Sequence, residues 1–416
     1  MKTMLFVVIF LGLWACNEPI IPPLDTTPKP WQPEIVWRKQ HSPTKFDQLA
    51  YRVELYENKL IAGYQAETGS GYWIYDKNTG EVLKDIKDQY SFIGNFSSRL
   101  IGNYYHSKVS NKEYRLINLE NFEVRNIDLL QAGYYGFTGV LYHDGYIYSG
   151  IDNQIGEQFN YRISLGRNKV ADKSDNFEFV FHDTWPQDVP NPRSSHFGCM
   201  GFNEDKNKDV ILYYTNAQLY TDTILSSRLK FMAYNISKKR VQWETEIKID
   251  NKDLLSDGSG GLLPPALYKD MVIFTTTRYV RAFHQETGKL LWALNLEQIT
   301  TTDYAVVENH FFMATNFGVL HKIDLNTGQI VSKLDLKTGN TGVWQEHKGI
   351  LYFTMVGNKL FAIDAAKMEV KWEWNSPNRQ ICSYCSFGNN SPEVDKETGR
   401  LYITDGRDMF CIKLPE

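Results

Sequence analysis

Five cysteines and nine histidines are the side chains of this chain best suited to hold a soft metal or exchange electrons. Cys382-x-x-Cys385 is the sharpest local pattern among them. With Cys199 and His196 on a second long loop, a thiolate-rich metal site is one chemistry this set could support. A redox Cys-x-x-Cys needs a βαβ setting, which the surrounding sequence lacks. A local Cys382–Cys385 disulfide, or two inert thiols, is the expected state. The histidines form no His-Glu-x-x-His spacing, and no glycine-rich phosphate loop follows a strand and opens a helix. No catalytic residue, metal ligand set or cofactor is therefore assigned.

Recognition chemistry is better represented than catalysis. Gly133-Tyr-Tyr-Gly-Phe-Thr-Gly139 sets three aromatics among glycines. Asp183 to Cys199 is the longest loop and holds Trp185, Arg193 and His196, while Asn378 to Phe387 holds the two paired cysteines. Aromatics beside Asn, Asp and Arg can stack on a sugar or anchor a protein partner. Tyr134, Tyr135, Phe137, Trp185, Arg193, His196 and Phe387 are the expected partner- or glycan-binding residues of one loop face. The same aromatics could instead fill a central channel.

These loops are joined by a repeat. Arg281-Ala-Phe-His-Gln-Glu-Thr-Gly-Lys-Leu-Leu-Trp292 and His321-Lys-Ile-Asp-Leu-Asn-Thr-Gly-Gln-Ile-Val-Ser332 are its plainest copies. Weaker ones end near Gly80, Val124, Trp243 and Trp372. Each reads as an alternating strand, an Asp/Asn turn often closed by Thr-Gly, and a second strand. A spacing of roughly 40–50 residues is that of propeller blades. Seven outer strands end between Ile86 and Trp374, and Pro392 to Leu414 holds three strands more. Glu34-Ile-Val-Trp-Arg38 supplies the fourth, so the sequence predicts an all-β, eight-bladed propeller of four-stranded blades, closed by the N-terminal strand.

The Ala-x-Asp-x-x-Thr-Gly-x-x-x-Trp element resembles the tryptophan-docking repeat of propellers related to pyrroloquinoline quinone (PQQ) dehydrogenases. Among these, an eight-bladed lipoprotein of this length is similar to the propeller subunits of outer-membrane β-barrel assembly machinery. That resemblance implies a non-catalytic scaffold that docks a partner protein. The PQQ-dependent oxidoreductases of the same fold carry two adjacent cysteines over the quinone, and no Cys-Cys pair occurs here. A surface glycan-binding lipoprotein is the other alternative, and a PQQ-dependent oxidoreductase the less favoured one.

The first residues set the address. Lys2, the apolar run Met4 to Trp14 and Ala15-Cys16 describe an export signal over 1–15 with lipidation of Cys16. The acylated chain would sit on a membrane without spanning it. Residues 16–33 form a proline-rich tether of roughly 50 Å at ~3.1 Å per residue, and 34–416 one propeller domain. The resemblance to the barrel-assembly propellers implies outer-membrane localisation, facing the periplasm or the cell surface. Lys and Arg total 45 against 49 Asp and Glu, a net charge of −4, which argues against a nucleic-acid groove.

Overall fold

The computed structural model describes residues 31–40, 48–66, 69–88, 99–108, 113–128, 136–155, 160–170, 178–183, 194–204, 208–219, 226–250, 265–276, 278–296, 300–337, 342, 344–355, 359–381, 385–387 and 392–415. Among the described residues, thirty-two strands form eight four-stranded antiparallel sheets. Blade 1 is β2 (Gln48–Tyr56), β3 (Lys59–Ala66), β4 (Gly69–Asp76) and β5 (Val82–Asp88). Blade 2 is β6 (Arg99–Ile101), β7 (Tyr104–Lys108), β8 (Glu113–Asn118) and β9 (Val124–Asp128). Blade 3 is β10 (Gly136–His143), β11 (Tyr146–Ile155), β12 (Asn160–Lys169) and β13 (Glu178–Asp183). Blade 4 is β14 (Ser194–Glu204), β15 (Val210–Leu219), β16 (Ser226–Asn235) and β17 (Arg240–Asp250). Blade 5 is β18 (Ala266–Tyr268), β19 (Met271–Thr275), β20 (Tyr279–His284) and β21 (Leu290–Asn295). Blade 6 is β22 (Thr300–Val307), β23 (His310–Thr315), β24 (Val319–Asp324) and β25 (Ile330–Asp335). Blade 7 is β26 (Gln345–His347), β27 (Ile350–Met355), β28 (Lys359–Asp364) and β29 (Glu369–Asn375).

Blade 8 closes the ring. Its strands β30 (Glu393–Asp395), β31 (Arg400–Thr404) and β32 (Asp408–Lys413) are completed by β1 (Glu34–Gln40), which pairs antiparallel with β32. The closure expected from the lone N-terminal tryptophan is what the chain adopts. First strands of successive blades touch one another, as β10 touches β14 and β26 touches β30, so they converge on the ring axis while the fourth strands form the rim. Apolar clusters fill the wedges between blades, such as Phe231, Phe274 and Phe283 between blades 4 and 5.

A bulge aims the docking residues. Seven of the eight fourth strands shift register by one residue within the repeat, at Val36, Leu83, Val180, Gln242, Leu291, Val331 and Lys371. A bulge turns the following side chain and sharpens the local twist. That following position holds Trp37, Trp243, Trp292 and Trp372. The Trp37 indole donates to the Lys77 carbonyl at 3.0 Å, Trp243 to Gln285 at 2.7 Å and Trp292 to Leu325 at 2.9 Å, each in the next blade's turn. Where blade 6 has Ser332 instead, the Lys322 ammonium reaches across to the equivalent carbonyl of blade 7, Ala365, at 3.0 Å.

His321 lies on β24 and is 3 % exposed. Burial, with Lys333 opposite it, lowers its pKa to about 4. A histidine whose folded pKa lies below its unfolded value binds its proton more readily when unfolded. Stability should therefore fall as pH drops from about 6.5 towards 4, by up to about 3 kcal/mol. Denaturation of His321→Leu at both pH values should show a shallower loss than the parent; an identical pH slope would remove His321 as the cause.

Candidate functional site

Each blade has two ends. The turns from third to fourth strand, carrying the Thr-Gly sequences, share one end with the turns from first to second strand. The turns from second to third strand share the other end with the connections to the next blade. The second end is the loop face, where the sequence places its binding residues.

That face is uneven. Asp250 ends β17 seven residues past Trp243, whereas Asn295 ends β21 three past Trp292. Four extra residues raise blade 4 by about 13 Å at ~3.3 Å each. The β15–β16 pairing continues to Gln218↔Arg228 and the β11–β12 pairing to Ile155↔Asn160. Blades 3 and 4 thus stand above the loop-face ends of blades 5 to 7. Phe137 and His196 occupy the loop-face ends of the inner strands β10 and β14, paired with Ile151 and Ala217. Tyr134, Tyr135, Trp185, Arg193 and Cys382 lie outside the described residues.

Phe387 departs from expectation. It is fully buried, with its ring 4.7 Å from Trp374 and 6.1 Å from Phe410. The wedge between blades 7 and 8 has room for a third aromatic there, so Phe387 is core and not a contact residue. Its neighbour Cys385 is buried and disulfide-bonded. Cys411 is a free, buried thiol whose pKa burial raises to about 12, too high for thiolate chemistry at neutral pH. Among the described residues no group of three metal-ligating side chains occurs.

Two residues that the sequence did not single out are the most exposed of the large apolar side chains described. Phe317, in the β23–β24 turn, is 64 % exposed, and Ile381, between β29 and β30, is 69 % exposed. Both lie on the loop face. Phe317 has a local signal, an aromatic beside glycine in a tight Asn-Phe-Gly turn. Ile381 has none beyond membership of the loop before Phe387.

The loop carrying Ile381 is pinned from beneath. Ser376 Oγ donates to Asp405 Oδ2 at 2.5 Å. The Asn378 amide donates to Asp405 and to Asp408, each at 2.9 Å. Arg38, from β1, donates to Asp408 Oδ2 at 2.5 Å and to Asn378 Oδ1 at 2.6 Å. Asn378, Asp405 and Asp408 are at most 1 % exposed. In a site of low dielectric such charge-assisted bonds hold their members in one geometry. The backbone at Ile381 is tied in as well, its N–H donating to the Asn378 carbonyl at 3.0 Å. The result is an exposed apolar side chain on a fixed loop, which needs little ordering when a partner binds.

Two solved structures share this architecture. The designed Ika8 protein is 11 % identical, covers 92 % of this chain and 100 % of its own, and superposes with a TM-score of 0.60. Sqt1 of Saccharomyces cerevisiae is 9 % identical, with 93 % and 100 % covered and a TM-score of 0.59. BamB from Moraxella catarrhalis is 14 % identical over 79 % of this chain and 82 % of that one, with a TM-score of 0.47. No curated protein matches by sequence. A family model described as outer membrane protein assembly factor BamB matches residues 276–405, from the end of β19 to the loop after β31. This eight-bladed propeller is thus similar, over residues 276–405, to the family described as outer membrane protein assembly factor BamB.

Proposed function

We propose that the chain is a non-catalytic, lipid-anchored envelope scaffold that docks a partner protein through its loop face. The observation that carries this reading is the pair Phe317 and Ile381. Both side chains are about two thirds exposed, and both stand on the face opposite the repeat turns, where large apolar side chains serve as anchors that a partner covers. Ile381 is held by the Asp405–Asn378–Asp408 bonds rather than by apolar packing, a pre-ordered anchor of the kind that dominates interface energetics. The family match over residues 276–405 supports an assembly role rather than a reaction. Membrane attachment through Cys16 belongs to the same reading and rests on the signal-like N-terminus.

Partner recovery in a mild-detergent pull-down tests it. Phe317→Asp and Ile381→Asp should each weaken capture of the recovered partner at least fivefold, more than about 1 kcal/mol. Their denaturation midpoints should stay within about 0.5 kcal/mol of the parent, because neither side chain is packed. Undiminished capture by both folded variants would refute docking through this face.

A further inference from the structure

The turns from second to third strand set one residue at an equivalent position on the loop face of each blade. In blade 5 the Thr276 N–H donates to the Tyr279 carbonyl at 2.8 Å, in blade 6 Gly318 donates to Thr315 at 2.9 Å, and in blade 8 Asp405 donates to Asp408 at 3.2 Å. The third residues of these turns are Arg278, Phe317 and Arg407. Ile381 stands in the loop between blades 7 and 8. Along this arc of the face, two guanidiniums therefore flank the two exposed apolar side chains. Both are short of acceptors. Nε of Arg278 and Nε of Arg407 are buried without a hydrogen-bond partner, as is Oδ1 of Asn316 beside Phe317. Arg278 is half-buried and has no ion pair among the described residues. Arg407 has Asp408 at 3.9 Å, but that carboxylate is already bonded to Arg38 and Asn378. A buried donor without an acceptor is a cost that the chain's own folding does not return.

We propose that the protein docked on this face is acidic where it touches blades 5 to 8: its carboxylates accept from Arg278 and Arg407 while its apolar side chains cover Phe317 and Ile381. The inference rests on the loop-face reading above and adds the partner's charge to it. A guanidinium fork matches a carboxylate in two parallel bonds, and such charge-assisted bonds are the strong ones. A partner carboxylate supplies the acceptor that the chain does not offer Arg278, and an N–H beside it can serve Asn316 Oδ1. The whole chain carries a net charge of −4, so its general surface repels an acidic partner. These two arginines give that partner one arc on which to settle, which is how local charge selects a face and an orientation.

Salt and side-chain charge test this on the full chain. The probe is the protein that the parent chain recovers from a mild-detergent membrane extract. Arg278→Gln should keep the parent's denaturation midpoint, because it removes no bond within the chain. Its capture of that protein should nevertheless fall about tenfold at roughly 0.05 M NaCl, and the loss should shrink to about twofold at roughly 0.5 M, where screening is strong. Arg278→Glu should lose more than Arg278→Gln, and Arg278→Lys should recover most of the parent's capture. Parent-like capture by Arg278→Gln and Arg278→Glu at the lower salt would overturn the inference, as would a loss in Arg278→Gln that salt does not reduce. The two readings fall separately. A loss in Phe317→Asp that persists at high salt, with Arg278→Gln unaffected, removes the acidic contact alone. Full capture by Phe317→Asp and Ile381→Asp at high salt, with the salt-dependent loss in Arg278→Gln, removes the apolar anchors alone. A parent chain that recovers no protein at either salt overturns both.

Discussion

Gly288→Ala should destabilise the protein by about 3 kcal/mol, whereas Gly349→Ala should cost only about 1 kcal/mol. Both glycines hold a positive φ, +66° at Gly288 and +75° at Gly349, so the backbone penalty is shared. They differ in what a methyl would meet. At Gly349 nothing lies within 4 Å, while at Gly288 a Cβ would sit 2.5 Å from Cδ2 and Cε3 of the Trp243 indole. Trp243 cannot retreat without giving up its bond to the Gln285 carbonyl and its place in the wedge between blades 4 and 5. In a Trp243→Ala background the same Gly288→Ala change should shrink to about 1 kcal/mol, a coupling that a double-mutant cycle reads directly. Equal costs at 288 and 349 by chemical denaturation would show that φ alone selects glycine at these turns.

Removing Glu34 to Arg38 should cost more than any single substitution discussed so far, enough to abolish cooperative unfolding of the ring. The deletion bares the edge of β32, empties the Trp37 site over Gly80, where ring carbon Cε3 would stand 2.7 Å from a Cβ, and takes from Asp408 the nearer of its two cations, leaving Arg407 at 3.9 Å. Because so large a lesion can simply prevent folding, Arg38→Met isolates one component. Asp408 is completely buried and the Arg38 side chain is 41 % exposed. Leaving a buried carboxylate with no partner typically costs about 3–5 kcal/mol. Arg38 is half-exposed, and Asp408 keeps the Asn378 amide at 2.9 Å and Arg407 at 3.9 Å, so the expectation falls to about 2 kcal/mol. Arg38→Lys should recover part of the loss, since an ammonium can restore one of the two bonds but not the fork. A parent-like midpoint for Arg38→Met would mean that closure depends on the β1–β32 ladder alone.

The fold was legible because its logic is local and repeated. In this chain, glycine at the repeat turn goes with tryptophan in the preceding blade: Trp37 with Gly80, Trp243 with Gly288, Trp292 with Gly328. Where the preceding blade has Lys84, Phe181 or Ser332, the corresponding turn residue is Phe122, Lys239 or Met368, still at positive φ. Glycine there answers the indole rather than the backbone, a rule written entirely in residue types and spacing. The unmatched strand containing Trp37 told of ring closure for the same reason.

Binding residues were harder to read, because exposure on a loop depends on what the ring brings beneath it. Phe387 and Ile381 belong to one loop and are both large and apolar. Only the wedge formed by Trp374 and Phe410, from separate blades, decides that Phe387 is swallowed. Only the buried contacts of Asn378 with Asp405 and Asp408, 27 and 30 residues away, hold the start of that loop in place and leave Ile381 in water. The sequence by itself determined the repeat strands, the blade count and the closing strand, since each follows from propensities and periods along the chain. The tertiary structure alone decided which loop residues face solvent, how far blades 3 and 4 rise, and how Phe387 and Ile381 of one loop part ways. Those depend on contacts between residues far apart in the chain, which no local pattern encodes.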